Sequence, residues 1–337
     1  MQRQFRLGGV ARRAANLRGQ SIIEYVLIIA VISLVVAFAG PQVSGAIRNQ
    51  FAGVANTLAG TVHGGGSDPG GTSGGGSGGN TPDQEQKDYL EDMKSVTDKD
   101  PRDWTLEDQK KAAEDIAEKG TASVAFPKAK AAMDAGTTWS ITLTDENTLT
   151  YRIIGINHDD LADGSGKAGL TFLTTSTGIS SRVNATDTNV GGWEASELRA
   201  KMNSGEIWSL MPSDFQSKVK SVRKLTNNVG STDKIAAVTA TTDKLFLLSY
   251  SEIVETPYSG WSGYSWIGIE GTQYEAFKGK VTNNHSGNDC LKNGDGWRER
   301  TAFPNNSNYF LSVDSTGKPS NGGWATASGC ICPAWCF

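Results

Sequence analysis

The feature that most constrains this chain is an apolar segment near its N-terminus that contains a single carboxylate. Residues 22–39 carry no charge except Glu24, and they nearly reach the ~20 residues that span a bilayer. A charge in such a segment costs roughly 2.5–3.5 kcal/mol on insertion, so Glu24 is expected to serve a function. Five arginines and no acidic residue lie in residues 1–19, and the positive-inside rule therefore keeps this leader cytoplasmic and exports the residues after Pro41.

The residues around Glu24 resemble the prepilin signal of Flp-type (Tad, type IV-like) pilins. Gly19 lies where the family's membrane aspartyl peptidase cuts, Glu24 is the fifth residue after the cut, and Tyr25 follows it. The resemblance implies cleavage between Gly19 and Gln20, and roles for Glu24 and Tyr25 in assembly. The implied partners are a prepilin peptidase, other pilin subunits and the pilus assembly machinery.

Two other interpretations of the apolar segment compete with the pilin one. A secretory signal peptide has a shorter apolar core and a small-residue cleavage site behind it, whereas this segment ends in Gly40-Pro41-Gln42. A plain membrane anchor has no use for a carboxylate in its first turn. In a pilin, the amino group that cleavage frees on Gln20 can neutralise Glu24 of a neighbouring subunit.

The helical pattern continues past the membrane-length segment. Apolar residues recur there at steps of three and four: Val43, Ile47, Phe51, Val54 and Leu58. This spacing is typical of an amphipathic helix, so the sequence predicts one long, kinked pilin-like helix over residues 20–63. Residues 64–81 follow as a Gly- and Ser-rich linker that cannot fold alone.

Beyond the linker the sequence predicts an acidic helical segment and then a larger mixed part. Residues 82–136 favour helices, with a capping-box pattern at Thr105 and a stop at Gly120. From residue 138 the apolar period changes to two, and the polar turn 145–147 predicts a hairpin. The other predicted strands are 169–175, 244–250 and 328–337, and the predicted helices are 193–203 and 213–222.

Several segments of residues 137–337 resemble an uncharacterised domain that is frequent in surface proteins of Gram-positive bacteria. They are TYRIIGINHDD (150–160), GKAGLTF (166–172), WEASELRAKMN (193–203), KLFLLSYSEI (244–253) and GCICPAWCF (329–337). That domain is related to C-type-lectin-like folds, including those of formylglycine-generating enzymes. The resemblances imply an α+β fold class: a long N-terminal pilin-like transmembrane helix, a Gly/Ser linker and a C-type-lectin-like mixed α/β globular domain.

Together the two resemblances predict a minor or tip pilin-like subunit of a Tad-like pilus that displays an extracellular adhesion domain. The chain would lie in the bacterial cytoplasmic membrane through residues 22–39 before assembly, and on the cell surface afterwards. Removing the five leader arginines takes the formal charge from −4 to −9, which argues against nucleic acid as a partner of the exported part. The alternatives are a membrane-anchored surface enzyme and a pseudopilin of a secretion system.

Four aromatic residues interleaved with Gly and Ser form the predicted ligand site. They are Tyr258, Trp261, Tyr264 and Trp266. Aromatic faces stack on sugar rings, so this segment predicts binding of a glycan or host-surface ligand. The alternative is that the rings cover the core beneath a long loop.

Four cysteines lie near the C-terminus, and an exported chain is expected to form disulfides from them. They are Cys290, Cys330, Cys332 and Cys336. Four cysteines allow three pairings; direct pairing of Cys330 with Cys332 is disfavoured by strain, and Cys290 is expected to be tied to the C-terminal strand. A zinc site is a weaker alternative, because the C-x-C-x₃-C spacing with the distant Cys290 does not supply the two C-x₂₋₄-C pairs that are usual.

No other pattern indicates catalysis or a cofactor. The three histidines, His63, His158 and His285, stand in no metal-binding or catalytic motif. The acidic residues after His158 lack the spacing of a calcium loop, so a solvated turn is favoured over a calcium site. The sequence therefore predicts a protein that is not an enzyme and holds no cofactor and no metal.

Overall fold

Short helices and short strands alternate along residues 82–176 and 178–337, which the computed structural model describes; the predictions for residues 1–81 lie outside the described residues. The α-helices are α1 (Pro82–Asp92), α2 (Lys94–Thr97), α3 (Leu106–Lys119), α4 (Phe126–Ala135), α5 (Glu197–Asn203), α6 (Glu206–Leu210), α7 (Ser213–Gln216) and α8 (Tyr250–Ile253). The strands are β1 (Thr138–Thr142), β2 (Thr148–Ile156), β3 (Leu170–Thr174), β4 (Ser180–Ser181), β5 (Val222–Asn227), β6 (Val238–Asp243), β7 (Trp297–Ala302), β8 (Tyr309–Val313), β9 (Asn321–Trp324), β10 (Gly329–Cys330) and β11 (Ala334–Cys336). Single 3₁₀ turns lie at Pro101–Asp103, Gly120–Ala122, Ser259–Trp261 and Asp289–Leu291.

Helix α3 begins and ends where its sequence predicts. The Thr105 hydroxyl accepts the N–H of Asp108 while the Asp108 carboxylate accepts the N–H of Thr105, which completes a capping box. The helix ends at Gly120, whose φ of 57° lies in the region that favours glycine. Both predictions for this helix are confirmed.

The largest sheet has four antiparallel strands in the order β1-β2-β3-β11. Its first two strands form the predicted hairpin, with Trp139 opposite Tyr151 and Ile141 opposite Leu149. The register of β2 against β3 shifts between Ile153 and Gly155. Gly155 is needed at this bulge, because a Cβ there would lie only 2.8 Å from the ring of Tyr274.

Three smaller sheets complete the described domain: β10-β4, β5-β6 and β7-β8-β9. Every residue of β7 is buried, whereas in β5 buried and exposed residues alternate over the first four positions. The alternation directs Lys224 inward and its neighbours Arg223 and Leu225 outward. These two strands therefore bring charged side chains into the interior.

Several predicted elements differ from the observed ones. Residues 244–250 contain no strand and join the four-stranded sheet only through an isolated bridge from Phe246 to Ala334. The predicted C-terminal strand is divided into β10 and β11 by Pro333, which has no N–H to donate. The helix predicted over 213–222 shortens to α7, because β5 begins at Val222.

The predicted fold class is wrong. The described residues form a mixed domain of four small sheets and short helices, not the predicted C-type-lectin-like domain behind a long N-terminal transmembrane helix, and they include no such helix. Within residues 82–176 and 178–337, no helix combines the length and the apolar character that crossing a membrane requires. The physical reason for the small sheets is local: bulges, prolines and glycines interrupt the strands before they reach the length that a single large sheet needs.

Candidate functional site

Four charged side chains meet in the interior of the domain. Asp159 is 4% exposed, Lys224 and Glu252 are each 2% exposed, and Arg300 is fully buried. Charged residues are almost never buried to this degree unless they are paired. These four residues are termed the buried ion cluster.

Each member of the cluster is positioned by a different element. Asp159 follows β2, Lys224 points inward from β5, and Arg300 points inward from β7. Glu252 lies in α8, where its carboxylate accepts the backbone N–H of Ser249 and closes a capping box. The cluster therefore fastens together parts of the chain that are far apart in sequence.

Lys224 connects two carboxylates. Its Nζ lies 2.6 Å from Oδ1 of Asp159 and 2.5 Å from Oε1 of Glu252. Glu252 also receives two bonds from the guanidinium of Arg300, at 2.5 Å and 2.9 Å. The four charges sum to zero, which is the arrangement that lowers the cost of burying them.

Further donors satisfy the remaining oxygens of Asp159. The Thr171 hydroxyl donates to Oδ2 at 2.6 Å, and the Tyr274 hydroxyl lies 3.0 Å from both carboxylate oxygens. The Cys336 thiol lies 3.5 Å from the same Oδ2. Asp159 is thus held by the lysine and by three neutral groups.

Mutual attraction keeps the cluster ionised. Burial alone would raise the pKa of Asp159, but the charges of Lys224 and His158 hold that pKa below its ordinary value. Burial would lower the pKa of Lys224, but the two carboxylates raise it. Burial would likewise raise the pKa of Glu252, which Arg300 and Lys224 lower.

A second pair of buried carboxylates, Glu270 and Glu299, lies beside the cluster. Their pKa values are raised, whereas those of the cluster carboxylates are lowered. Burial raises the pKa of Glu270 to about 7, although Oε1 accepts the N–H of Asn227 and Oε2 accepts the hydroxyl of Thr301. Burial and the nearby charge of Glu270 raise the pKa of Glu299 well above its ordinary value. Both oxygens of Glu299 lack a hydrogen-bond partner among the described residues. These surroundings therefore favour the neutral, protonated form of Glu299.

A cleft opens directly above the buried ion cluster and is termed the His158 cleft. Its volume is about 340 Å³, and Asp159, Lys224 and Glu252 form part of its lining. The rest of its wall consists of His158, Asp160, Lys167, Arg223, Leu225, Gly271 and Thr272. A shallower depression of about 560 Å³ shares Asp160, Lys167 and Arg223 with it. The three shared residues are exposed, so the cleft offers charges of both signs to solvent.

His158 is fixed at one side of this cleft. Its Nδ1 lies 3.1 Å from Oε2 of Glu275, and its Nε2 lies 3.1 Å from the carbonyl oxygen of Thr272. Its ring stacks on Tyr274 with centroids 4.1 Å apart. Burial raises the pKa of Glu275, but the hydrogen bond to His158 dominates and lowers it to about 2.

The predicted aromatic site is mostly part of the core. Trp266 is fully buried and its indole N–H donates to the carbonyl of Asp233 at 2.9 Å, while Trp261 is 9% and Tyr264 8% exposed. Only Tyr258 of the four is exposed, at 43%, and its ring meets Trp261 edge to face. The core interpretation therefore accounts for three of the four rings, and glycan binding at this segment stays a prediction.

The structure groups two of the four cysteines and holds all four as free thiols. Asn293 Nδ2 lies 3.4 Å from the sulfur of Cys330 and 3.3 Å from that of Cys332. Cys336 is buried against Thr171 and Asp159, away from this pair. Cys290 is half-buried in the 3₁₀ turn Asp289–Leu291, and its predicted tie to the C-terminal strand stays a prediction.

The acidic residues after His158 do not converge on a metal ion. Asp159 faces the interior, Asp160 pairs with Lys167, and Asp163 accepts the N–H and the hydroxyl of Ser165. Within residues 82–176 and 178–337, no group of three or more His, Cys, Asp or Glu side chains is placed to hold a metal ion. The predicted cleavage and assembly residues, Gly19, Gln20, Glu24 and Tyr25, lie outside the described residues.

Sequence reasoning missed the buried ion cluster, although two of its members carried a signal. Glu252 interrupts an apolar run that begins at Leu245, much as Glu24 interrupts residues 22–39. Lys224 stands between Val222 and Thr226 on the inward face of a period-two strand. Arg300 and Asp159 gave no comparable signal, because the sequence patterns around them are equally compatible with exposed segments.

A family model covers this part of the molecule. The model described as a domain of unknown function, DUF6273, matches residues 168–336, half of the chain. The chain therefore belongs to the DUF6273 family. No curated protein and no solved structure matches the chain significantly.

Proposed function

We propose that this chain is a minor or tip pilin-like subunit of a Tad-like pilus and that its DUF6273 domain binds a ligand outside the cell. The observation that carries the proposal is the sequence Gly19 to Tyr25, which places one carboxylate at the start of the apolar segment 22–39 behind an arginine-rich leader. Processing by a prepilin peptidase and insertion in the cytoplasmic membrane through residues 22–39 belong to the same proposal.

The proposed ligand site is the His158 cleft. Its volume falls within the range of roughly 300–1,000 Å³ that is usual for small-ligand sites. The exposed Lys167, Arg223 and Asp160 supply donors and acceptors, and the buried ion cluster beneath them gives a rigid floor. These groups suit a polar, hydroxyl-rich ligand, and we assign the cleft to one sugar unit of a surface glycan.

Processing is tested at Gly19, which must approach a peptidase closely. Gly19→Val should leave the five-arginine leader attached, whereas N-terminal sequencing of the wild-type mature chain should begin at Gln20. Glu24→Ala should insert in the membrane at least as well as the wild type and fail to join filaments. A mature N-terminus elsewhere, or normal incorporation of Glu24→Ala into pili, contradicts the proposal.

Ligand binding is tested with the full-length chain on a glycan array. Arg223→Ala should lower binding to the preferred glycan at least tenfold without changing thermal stability. Arg182→Ala is the matched control, because Arg182 is also an exposed arginine and forms a surface pair with Glu197. Equal binding by the wild type and Arg223→Ala would assign the ligand site elsewhere.

A further inference from the structure

The buried ion cluster places one amine within hydrogen-bonding distance of two buried carboxylates. Lys224 Nζ lies 2.6 Å from Asp159 and 2.5 Å from Glu252. All three side chains are at least nine-tenths buried. Nothing in the proposed pilus function requires this arrangement.

The amine of Lys224 is shielded from water by its surroundings. Lys224 Nζ lies 4.2 Å from the ring centroid of Phe246 and 5.4 Å from that of Tyr274, so aromatic rings cover the amine. A low-dielectric site disfavours separated charges. Proton transfer from Lys224 to Asp159 therefore yields a nucleophilic amine facing a carboxylic acid without leaving an isolated charge.

We propose that Lys224 and Asp159 condense to form an intramolecular amide bond, with Glu252 as the group that carries protons between them. The cross-link would join β5 to the residues that follow β2. Because it concerns the interior of the domain, it stands independently of the pilus proposal.

The reaction balances without any co-reactant. Lys224 Nζ passes one proton directly to Oδ1 of Asp159, 2.6 Å away, and the free lone pair of Nζ then attacks Cγ of Asp159. Glu252 moves a second proton from nitrogen to the departing oxygen, the C–O bond breaks, and one water molecule leaves. Glu252 ends as it began, so it acts as a general acid and base.

Two neutral donors are placed to assist the attack. The Thr171 hydroxyl and the Tyr274 hydroxyl both donate to the carboxyl oxygens of Asp159. Donors aimed at an oxygen on which negative charge develops stabilise the tetrahedral intermediate. Because the fold holds the amine beside the carboxyl group, the reaction is intramolecular and needs no bimolecular encounter.

The chain contains its own control pair. Lys167 and Asp160 lie 2.9 Å apart, but their side chains are 49% and 65% exposed, and water competes with any condensation. Asp160 follows Asp159 directly in the sequence. Lys167 should therefore keep a free amine while Lys224 does not.

Trypsin and mass spectrometry on the denatured full-length chain test the proposal. Trypsin cleaves after a lysine only when its amine is free. The amide predicts that the peptide 224–234 stays uncleaved after Lys224 and is joined to 153–167, with a combined mass smaller by one water molecule. Cleavage after Lys224 as complete as cleavage after Lys167 would overturn the proposal.

A loss of water alone is insufficient, because Asp163-Gly164 in the same peptide can cyclise to a succinimide and lose water as well. A fragment ladder that branches at Asp159 supports the cross-link, whereas recovery of peptide 153–167 only in separate form, at full mass or lighter by one water, overturns it. The joined peptide should be absent from Lys224→Met. Glu252→Gln, with folding verified by near-ultraviolet circular dichroism, should lose at least nine-tenths of it; joining at the wild-type extent would remove Glu252 from the mechanism.

Discussion

Two consecutive aspartates show how far burial separates side chains of the same chemistry. Asp159 pairs with Lys224 in the interior, and Asp160 pairs with Lys167 at the surface, at nearly equal distances of 2.6 Å and 2.9 Å. The inner pair is desolvated and tied to Glu252 and Tyr274, whereas the outer pair is screened by water. The distance between the charges therefore says little about how much an ion pair contributes to stability. Its exposure to solvent determines that contribution.

The largest effect should follow from breaking the inner cluster at Glu252. Glu252→Gln leaves Lys224 and Arg300 without a shared anion in the interior, and removing one partner of a buried pair typically costs about 3–5 kcal/mol. The free energy of unfolding should fall by that amount in urea titrations. The matched change Glu275→Gln, at a half-buried carboxylate beside His158, should cost less than half as much.

The same contrast of burial divides the aromatic residues of segment 258–266. Trp266→Ala should lower the free energy of unfolding by about 3–4 kcal/mol, because a fully buried indole and its hydrogen bond are lost. Tyr258→Ala should change it by less than about 1 kcal/mol, because the ring is 43% exposed. Equal effects in calorimetry would contradict the assignment of Trp266 to the core.

The carboxylates that lack a cation give a pH dependence of opposite sign to that of the cluster. The raised pKa values of Glu270, about 7, and of Glu299 mean that the folded chain binds protons more tightly than the unfolded chain. Stability is then present near pH 4.5 and is lost as the pH rises through about 7. Glu299→Gln should flatten this decline and stabilise the domain by about 1–3 kcal/mol at pH 8.

The choice of pH range separates this prediction from the titration of the buried ion cluster. The lowered pKa values of Asp159 and Glu252 affect stability only at acidic pH, where protonation removes their contribution, so the contribution of these two residues is constant from pH 5 to 8. Stability that rises steadily across that range in both the wild type and Glu299→Gln would show that these carboxylates are ionised in the folded protein.

Local patterns in the sequence predicted local structure well. The hairpin of β1 and β2 and the capping box at Thr105 follow from neighbouring residues alone, and both were predictable. The strand predicted over 244–250 failed because an apolar run of this length is compatible with any buried conformation. The apolar pattern of residues 244–250 indicates that they are buried, but it does not indicate which residues their backbone groups bond.

The candidate site was largely beyond sequence reasoning. Its members come from four segments separated by up to 141 positions in the chain, between Asp159 and Arg300, and no spacing rule connects them. The sequence shows His158 and its acidic neighbours as a polar cluster. It does not show that Asp159 turns inward while Asp160 turns outward. That choice depends on Lys224, which only the folded domain brings near.

The most direct test of the contrast between the two pairs is a comparison of Lys224→Met with Lys167→Met in the full-length chain. All nine tryptophans lie within residues 104–335, so their fluorescence in urea reports only on the described domain. Lys224→Met should lower the free energy of unfolding by about 3–5 kcal/mol, because Asp159 and Glu252 both lose their buried lysine partner, and Lys167→Met should change it by less than about 1 kcal/mol. Equal and small losses in the two variants would contradict the claim that burial, and not distance, sets the strength of these pairs.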